Sequence, residues 1–142
     1  MMLNGGPVSH PSVNTATAIE HRATLLVVED NRDTAELLRA LLEDDYAITL
    51  AHSYDEALRE AQGHAYDLFL FDINLGSGKT GSDLLHALRT QPEHAGTPAV
   101  ACTAYALQGG TLGFSASGFD AYLRKPFEID ELMRTVDALL PH

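Results

Sequence analysis

Three short, uninterrupted apolar runs constrain this chain most: Leu25-Leu26-Val27-Val28, Leu68-Phe69-Leu70-Phe71 and Ala99-Val100-Ala101-Cys102. A strand that is apolar at every position has no face to give to water, so it belongs in a sheet covered on both sides. Two further β units, Ala47-Ile48-Thr49-Leu50 and Asp120-Ala121-Tyr122-Leu123, complete a set of five. Helical spacing fills the intervals. Leu37, Leu38, Leu41 and Leu42 predict a helix beginning near Asp33, and Leu84, Leu85 and Leu88 predict another that ends before Gln91-Pro92. Ser53 and Glu56 stand at capping-box spacing for a helix between these two. Ile129, Leu132, Met133, Val136, Leu139 and Leu140 trace a closing helix. Alternation of this kind predicts an α/β domain: a doubly wound five-stranded parallel sheet with five helices on its two faces.

Composition narrows the function classes. Twenty acidic residues against nine Lys and Arg give a formal charge of −11, which disfavours phosphate backbones and anionic lipid as partners. A single cysteine, Cys102, excludes an internal disulfide and reads as a small buried hydrophobe. No apolar run is long enough to span a bilayer, and the first twenty residues lack a secretory pattern, so a cytoplasmic location is expected. Residues 1–22, rich in Ser, Thr, Asn, Gly and Pro, read as a disordered tail, and residues 23–142 as one domain. The seven histidines (His10, His21, His52, His64, His86, His94 and His142) show no paired spacing for a transition metal.

Ligands of open parallel sheets bind beyond the carboxyl ends of the strands. There the first strand ends in Glu29-Asp30, the third in Asp72 and the fourth in Thr103, while the fifth leads to Lys125-Pro126. Three clustered carboxylates repel one another unless a cation neutralises them, and an all-oxygen ligand set suits Mg²⁺. A carboxylate beside such a cation is a nucleophile toward a phosphoryl group, with Lys125 and Thr103 placed to neutralise the equatorial oxygens. The competing reading, in which Asp30 or Asp33 merely caps a helix, leaves Asp72, Thr103 and Lys125 unexplained.

The set Val28-Glu29-Asp30-Asn31, Asp72, Thr103-Ala104 and Lys125-Pro126-Phe127 resembles the receiver domain of two-component response regulators. The intervals agree: 42 residues from Asp30 to Asp72, 31 to Thr103 and 22 to Lys125. The resemblance covers about Thr24 to Leu140 and implies a flavodoxin-like fold with strand order 2-1-3-4-5. It implies Asp72 as phosphoacceptor, taking a phosphoryl group from a histidine kinase or a histidine phosphotransfer protein. Mg²⁺, with Mn²⁺ as a substitute, would be held by Asp30 and Asp72, by Glu29 through water, and by the Asn74 backbone carbonyl. Lys125 would contact the phosphoryl oxygens, Thr103 would swing toward them, and Tyr122 would follow as an aromatic switch. Asn74 and Tyr105 would modulate rates, and the bond before Pro126 would be cis. On this reading the chain is not an enzyme beyond assisting its own phosphoryl transfer and dephosphorylation. It signals through a separate protein target, as a single-domain regulator with a weak tilt toward a relay role, and a weak homodimer is compatible with it.

Two segments depart from the family. The loop after Asp72 carries Gly76 where relatives usually have proline, and its glycine comes one place late, as Gly81. That suggests one inserted residue and a more mobile loop. Its Gly76-x-Gly78-x-x-Gly81 and Gly78-Lys79-Thr80 patterns imitate nucleotide-binding motifs in the wrong context, which leaves Lys79 as a solvated lysine. Gly109, Gly110, Gly113 and Gly118 predict a short or irregular fourth helix over Gln108 to Gly118. The alternatives are a phosphorylation-independent binding module and an Mg²⁺-dependent aspartyl-phosphate hydrolase. The hydrolase would want a second acid where Asn74 stands.

Overall fold

The computed structural model describes residues 22–104 and 118–141. Five strands, β1 (Thr24–Val28), β2 (Ala47–Ala51), β3 (Leu68–Asp72), β4 (Ala99–Thr103) and β5 (Ala121–Arg124), form one parallel sheet in the order β2-β1-β3-β4-β5. The described helices are α1 (Arg32–Leu42), α2 (Tyr54–Ala61), α3 (Gly81–Arg89) and α4 (Ile129–Leu139), with a short 3₁₀ turn at Pro92–His94. The glycine-rich helix expected from Gln108 lies almost wholly outside the described residues, as do Tyr105 and the segment expected to be a tail. No described helix is long and apolar enough to cross a membrane.

Period-two alternation divides the core into two layers. Leu25, Val27, Leu68, Leu70, Val100, Cys102 and Leu123 pack against Leu38 and Leu42 of α1 and Leu132 and Val136 of α4. Leu26, Val28, Phe69, Phe71, Ala99 and Ala101 face Ala57 and Ala61 of α2 and Leu84, Leu85 and Leu88 of α3. The fully apolar runs are therefore sandwiched, as their composition requires. Helix α1 departs in one detail from its sequence pattern. Its core stripe is Ala35, Leu38 and Leu42, while Leu37 stands 51% exposed, because its direction on the helix points away from the sheet.

The ends of the helices also differ from expectation. Asn31 caps α1 by accepting from the Thr34 N–H at 2.9 Å, so Asp30 and Asp33 are not the cap. Ser53 caps α2 as expected, but the Glu56 carboxylate reaches one residue further back, to the His52 N–H at 2.7 Å. The reciprocal capping box belongs instead to Thr80 and Asp83 at α3.

The loop between β3 and α3 folds into a small hairpin. Leu75 N–H donates to the Lys79 carbonyl and Lys79 N–H to the Gly76 carbonyl, with Gly76, Ser77 and Gly78 all at positive φ. The loop is thus closed by a hydrogen-bonded turn, and Lys79, exposed as expected, places its ammonium 4.8 Å from the centre of the Tyr54 ring. Gly81 closes the hairpin against β3. A Cβ there would be driven into the Asp72 carbonyl oxygen and would sit 3.2 Å from its carbon. Gly81→Ala is expected to cost about 1–3 kcal/mol, read as a lower urea midpoint at unchanged slope.

Candidate functional site

The register of the sheet assembles the site. Val28 pairs with Phe71, so Glu29 and Asp72 come next on neighbouring strands; Thr103 pairs with Arg124, so Lys125 follows at the same edge. Strand alternation carries three side chains to one layer. Glu29 continues Leu25 and Val27, Asp72 continues Leu68 and Leu70, and Lys125 continues Leu123. Backbone bonds hold these extensions: Glu29 N–H to the Ala51 carbonyl, Ile73 N–H to Cys102 and Lys125 N–H to Thr103, at 2.7–3.0 Å. The Lys125–Pro126 peptide bond is cis.

A cleft of about 440 Å³ results, with Glu29, Asp30, Asp72, Asn74, Thr103 and Lys125 among its walls. Lys125 Nζ donates to Glu29 Oε1 at 2.6 Å and to Asp72 Oδ2 at 3.2 Å. Glu29 is 1% exposed and Asp72 7%, whereas Asp30 is open to solvent. Asn31 N–H donates to Glu29 Oε2 and Asn74 N–H to Asp72 Oδ1, each at 3.1 Å. The bonds that bridge Asn74 to Thr80 use the Ile73 and Lys79 carbonyls and leave the Asn74 carbonyl outside the ladder. Thr103 is buried at the cleft wall, and Tyr122 is 40% exposed on β5.

One ammonium serves two buried carboxylates, Glu29 and Asp72, with the exposed Asp30 beside them. Burial, reinforced by the Glu29 carboxylate beside it, pushes the Asp72 carboxyl up to about 7, although Lys125 and the Asn74 N–H pull it down. Burial works to lower the Lys125 ammonium, but the hydrogen bonds and attraction of Glu29 and Asp72 win and hold it above the ordinary lysine value. With every group ionised the cluster carries two surplus negative charges. One oxygen from each of Glu29, Asp30 and Asp72 can be chosen so that all three lie within 4.8 Å of one another. This all-oxygen, doubly anionic donor set fits a hard divalent cation. Cys102, directly beside Asp72 in the ladder, is buried and its thiol is pushed up by burial, which makes it inert packing.

The structure thus brings together Glu29, Asp30, Asp72, Asn74, Thr103 and Lys125, leaves Tyr122 at the surface and does not describe Tyr105. Sequence reasoning missed the fork of Lys125 onto Glu29 and the role of His52, whose Nδ1 lies 3.2 Å from the Glu29 carbonyl. A histidine directly after an edge strand was the only available signal. Fully buried His94, also set aside as scattered, places Nε2 3.0 Å from the Ala61 carbonyl and packs on Phe69.

This is a doubly wound α/β domain with an acidic cation pocket at the carboxyl edge of its sheet. Residues 25–137 match the response regulator receiver domain family, and the chain belongs to that family, whose members signal in two-component systems. It is 38% identical over 113 residues to an uncharacterized 14.6 kDa protein of Leptolyngbya boryana, covering 79% of this chain and 86% of that one. It is 37% identical over 113 residues to the transcriptional regulatory protein DltR of Streptococcus agalactiae, covering 79% of this chain but only 49% of that regulator. Among solved structures it is similar to the receiver domain of sensor histidine kinase PA1611 from Pseudomonas aeruginosa. The TM-score is 0.75 at 32% identity, over 83% of this chain and 97% of that one, and that domain has a magnesium ion coordinated in its active-site cleft.

Two outcomes follow from the charge imbalance. Unfolded Asp72 titrates near 3.8 and folded Asp72 near 7, so between these values the native state binds more protons and loses stability as pH rises. In chelator, the urea midpoint of the wild type relative to Asp72→Asn is expected to fall from pH 4 to 7, and added Mg²⁺ to stabilise more at pH 8 than at pH 5. Lys125→Ala strands two buried carboxylates and is expected to cost about 3 kcal/mol at pH 8 in chelator, partly recovered with Mg²⁺.

Proposed function

We propose that residues 23–142 form a phosphoacceptor switch in which Asp72 takes a phosphoryl group from a phosphohistidine. The observation that carries this reading is the Lys125 ammonium bonded at once to Glu29 and Asp72, with Asp30 completing the anionic cluster. An Asp72 carboxylate oxygen attacks phosphorus and the P–N bond breaks. Its electron pair leaves with the imidazole of the donor, and Asp72 becomes an acyl phosphate. Attack requires ionised Asp72, whose carboxyl burial and the Glu29 carboxylate hold well above the ordinary carboxylate value in the metal-free pocket.

Asp30 and Asp72 would hold Mg²⁺, or Mn²⁺ in its place, with the Asn74 carbonyl as a further ligand and Glu29 acting through water. The bound ion supplies charge neutralisation to the carboxylates and to the phosphoryl oxygens. Lys125 already meets Asp72 Oδ2 and is placed to follow onto the transferred oxygens. The buried Thr103 hydroxyl supplies a second contact, and exposed Tyr122 has room to move inward with it. Asn74 and Tyr105 flank the acceptor as rate-modulating positions. The partners are a histidine kinase or histidine phosphotransfer protein on the donor side and a separate protein target on the output side, in the cytoplasm. Asn74 disfavours the hydrolase, because its side-chain oxygen accepts from Gly76 N–H where a second acid would be needed.

Incubation with Mg²⁺ and a small phosphodonor is the direct test. The expected product is a mass gain of one phosphoryl group, stable in acid and lost in alkali, that Asp72→Asn abolishes. No gain, or a gain that survives the substitution, overturns the assignment.

A further inference from the structure

We propose that His52 is a positioning residue for the acidic pocket, fixing the peptide plane that carries both Glu29 and Asp30. The proposal rests on the phosphoacceptor reading and goes beyond it. Glu29 lies one residue past β1, where the ladder still supplies a partner for its N–H: the Ala51 carbonyl at 3.0 Å. Its carbonyl has no such neighbour, because the chain after Ala51 turns away into the cap of α2. The His52 imidazole takes the missing place, with Nδ1 at 3.2 Å from that carbonyl oxygen. A carbonyl only accepts, so Nδ1 carries the hydrogen.

His52 is itself held. The Glu56 carboxylate accepts from its backbone N–H at 2.7 Å, and Glu56 is anchored in the first turn of α2. The Glu29 carbonyl belongs to the same rigid peptide unit as the Asp30 N–H. Restraining that oxygen therefore sets the direction in which two neighbouring acids leave the backbone, one into the buried fork with Lys125 and one toward the open cleft. A small octahedral cation tolerates little error in such directions, so a bond outside the ligand set controls how well the set is formed.

The conservative substitution separates positioning from mere packing. His52→Asn places an amide N–H at about the reach of Nδ1, whereas His52→Phe keeps the ring and loses the donor. Mg²⁺ affinity would be measured by calorimetry for both variants and the wild type, alongside urea stability and the metal-free chemical shift of the Glu29 carbonyl carbon. His52→Phe is expected to lose about tenfold in Mg²⁺ affinity and to move the Glu29 shift. His52→Asn is expected to stay close to wild type in both. Equal loss in the two variants, or stability loss with Mg²⁺ affinity intact, overturns the positioning role. Glu56→Ala is a second probe that leaves the ring in place, and it should weaken Mg²⁺ binding in the same direction; unchanged affinity counts against the chain of restraint. Should the wild type bind no Mg²⁺ or take no phosphoryl group on Asp72, the phosphoacceptor reading itself fails and this proposal with it.

Discussion

A deficit of positive charge at the carboxyl edge of the sheet organises this molecule. Lys125 stands between two buried carboxylates and bonds to both, at 2.6 and 3.2 Å, with Asp30 beside them at the cleft mouth. One ammonium does not offset the burial of Asp72 and the Glu29 carboxylate beside it, so the Asp72 carboxyl is pushed up to about 7. The pocket is consequently incomplete as a protein-only structure. A divalent cation placed among these carboxylates would offset their mutual repulsion. Responsiveness of this kind is what a signalling domain requires of its acceptor.

Everything around the pocket keeps those charges in place. The two apolar layers hold β1, β3 and β4 in parallel register, and that register alone makes Glu29 and Asp72 neighbours across 43 residues of sequence. Gly81 lets α3 start against the Asp72 carbonyl, and its N–H closes the short hairpin before it onto the Ile73 carbonyl. On the other side, the Ala51 carbonyl and the His52 ring grip the peptide of Glu29. The acidic edge is therefore supported from β2, β3 and β5 together.

Much of this was legible beforehand, and the failures have definite causes. Uninterrupted apolar strands and helical spacing are strong one-dimensional signals, and they gave the α/β class with its parallel sheet, whereas the strand order came from the family resemblance. Leu37 was drawn into the core stripe because Leu is apolar wherever it stands, although its helical angle turns it outward. Glu56 matched a capping box by spacing, but the backbone left a different N–H, that of His52, within its reach. Each miss concerns where a side chain ends, which a residue's position in the sequence does not state.

By itself the sequence determined the doubly wound class, the two-layer core and the set of acids, hydroxyl and lysine at the strand ends, because period and spacing are properties of the chain alone. Tertiary structure alone decided that Lys125 forks to Glu29 as well as Asp72, that Asn31 caps α1 in place of the acids, and that His52 holds Glu29. Those outcomes depend on distances of a few ångströms between strands remote in sequence. Such distances exist only once register and packing have closed the sheet.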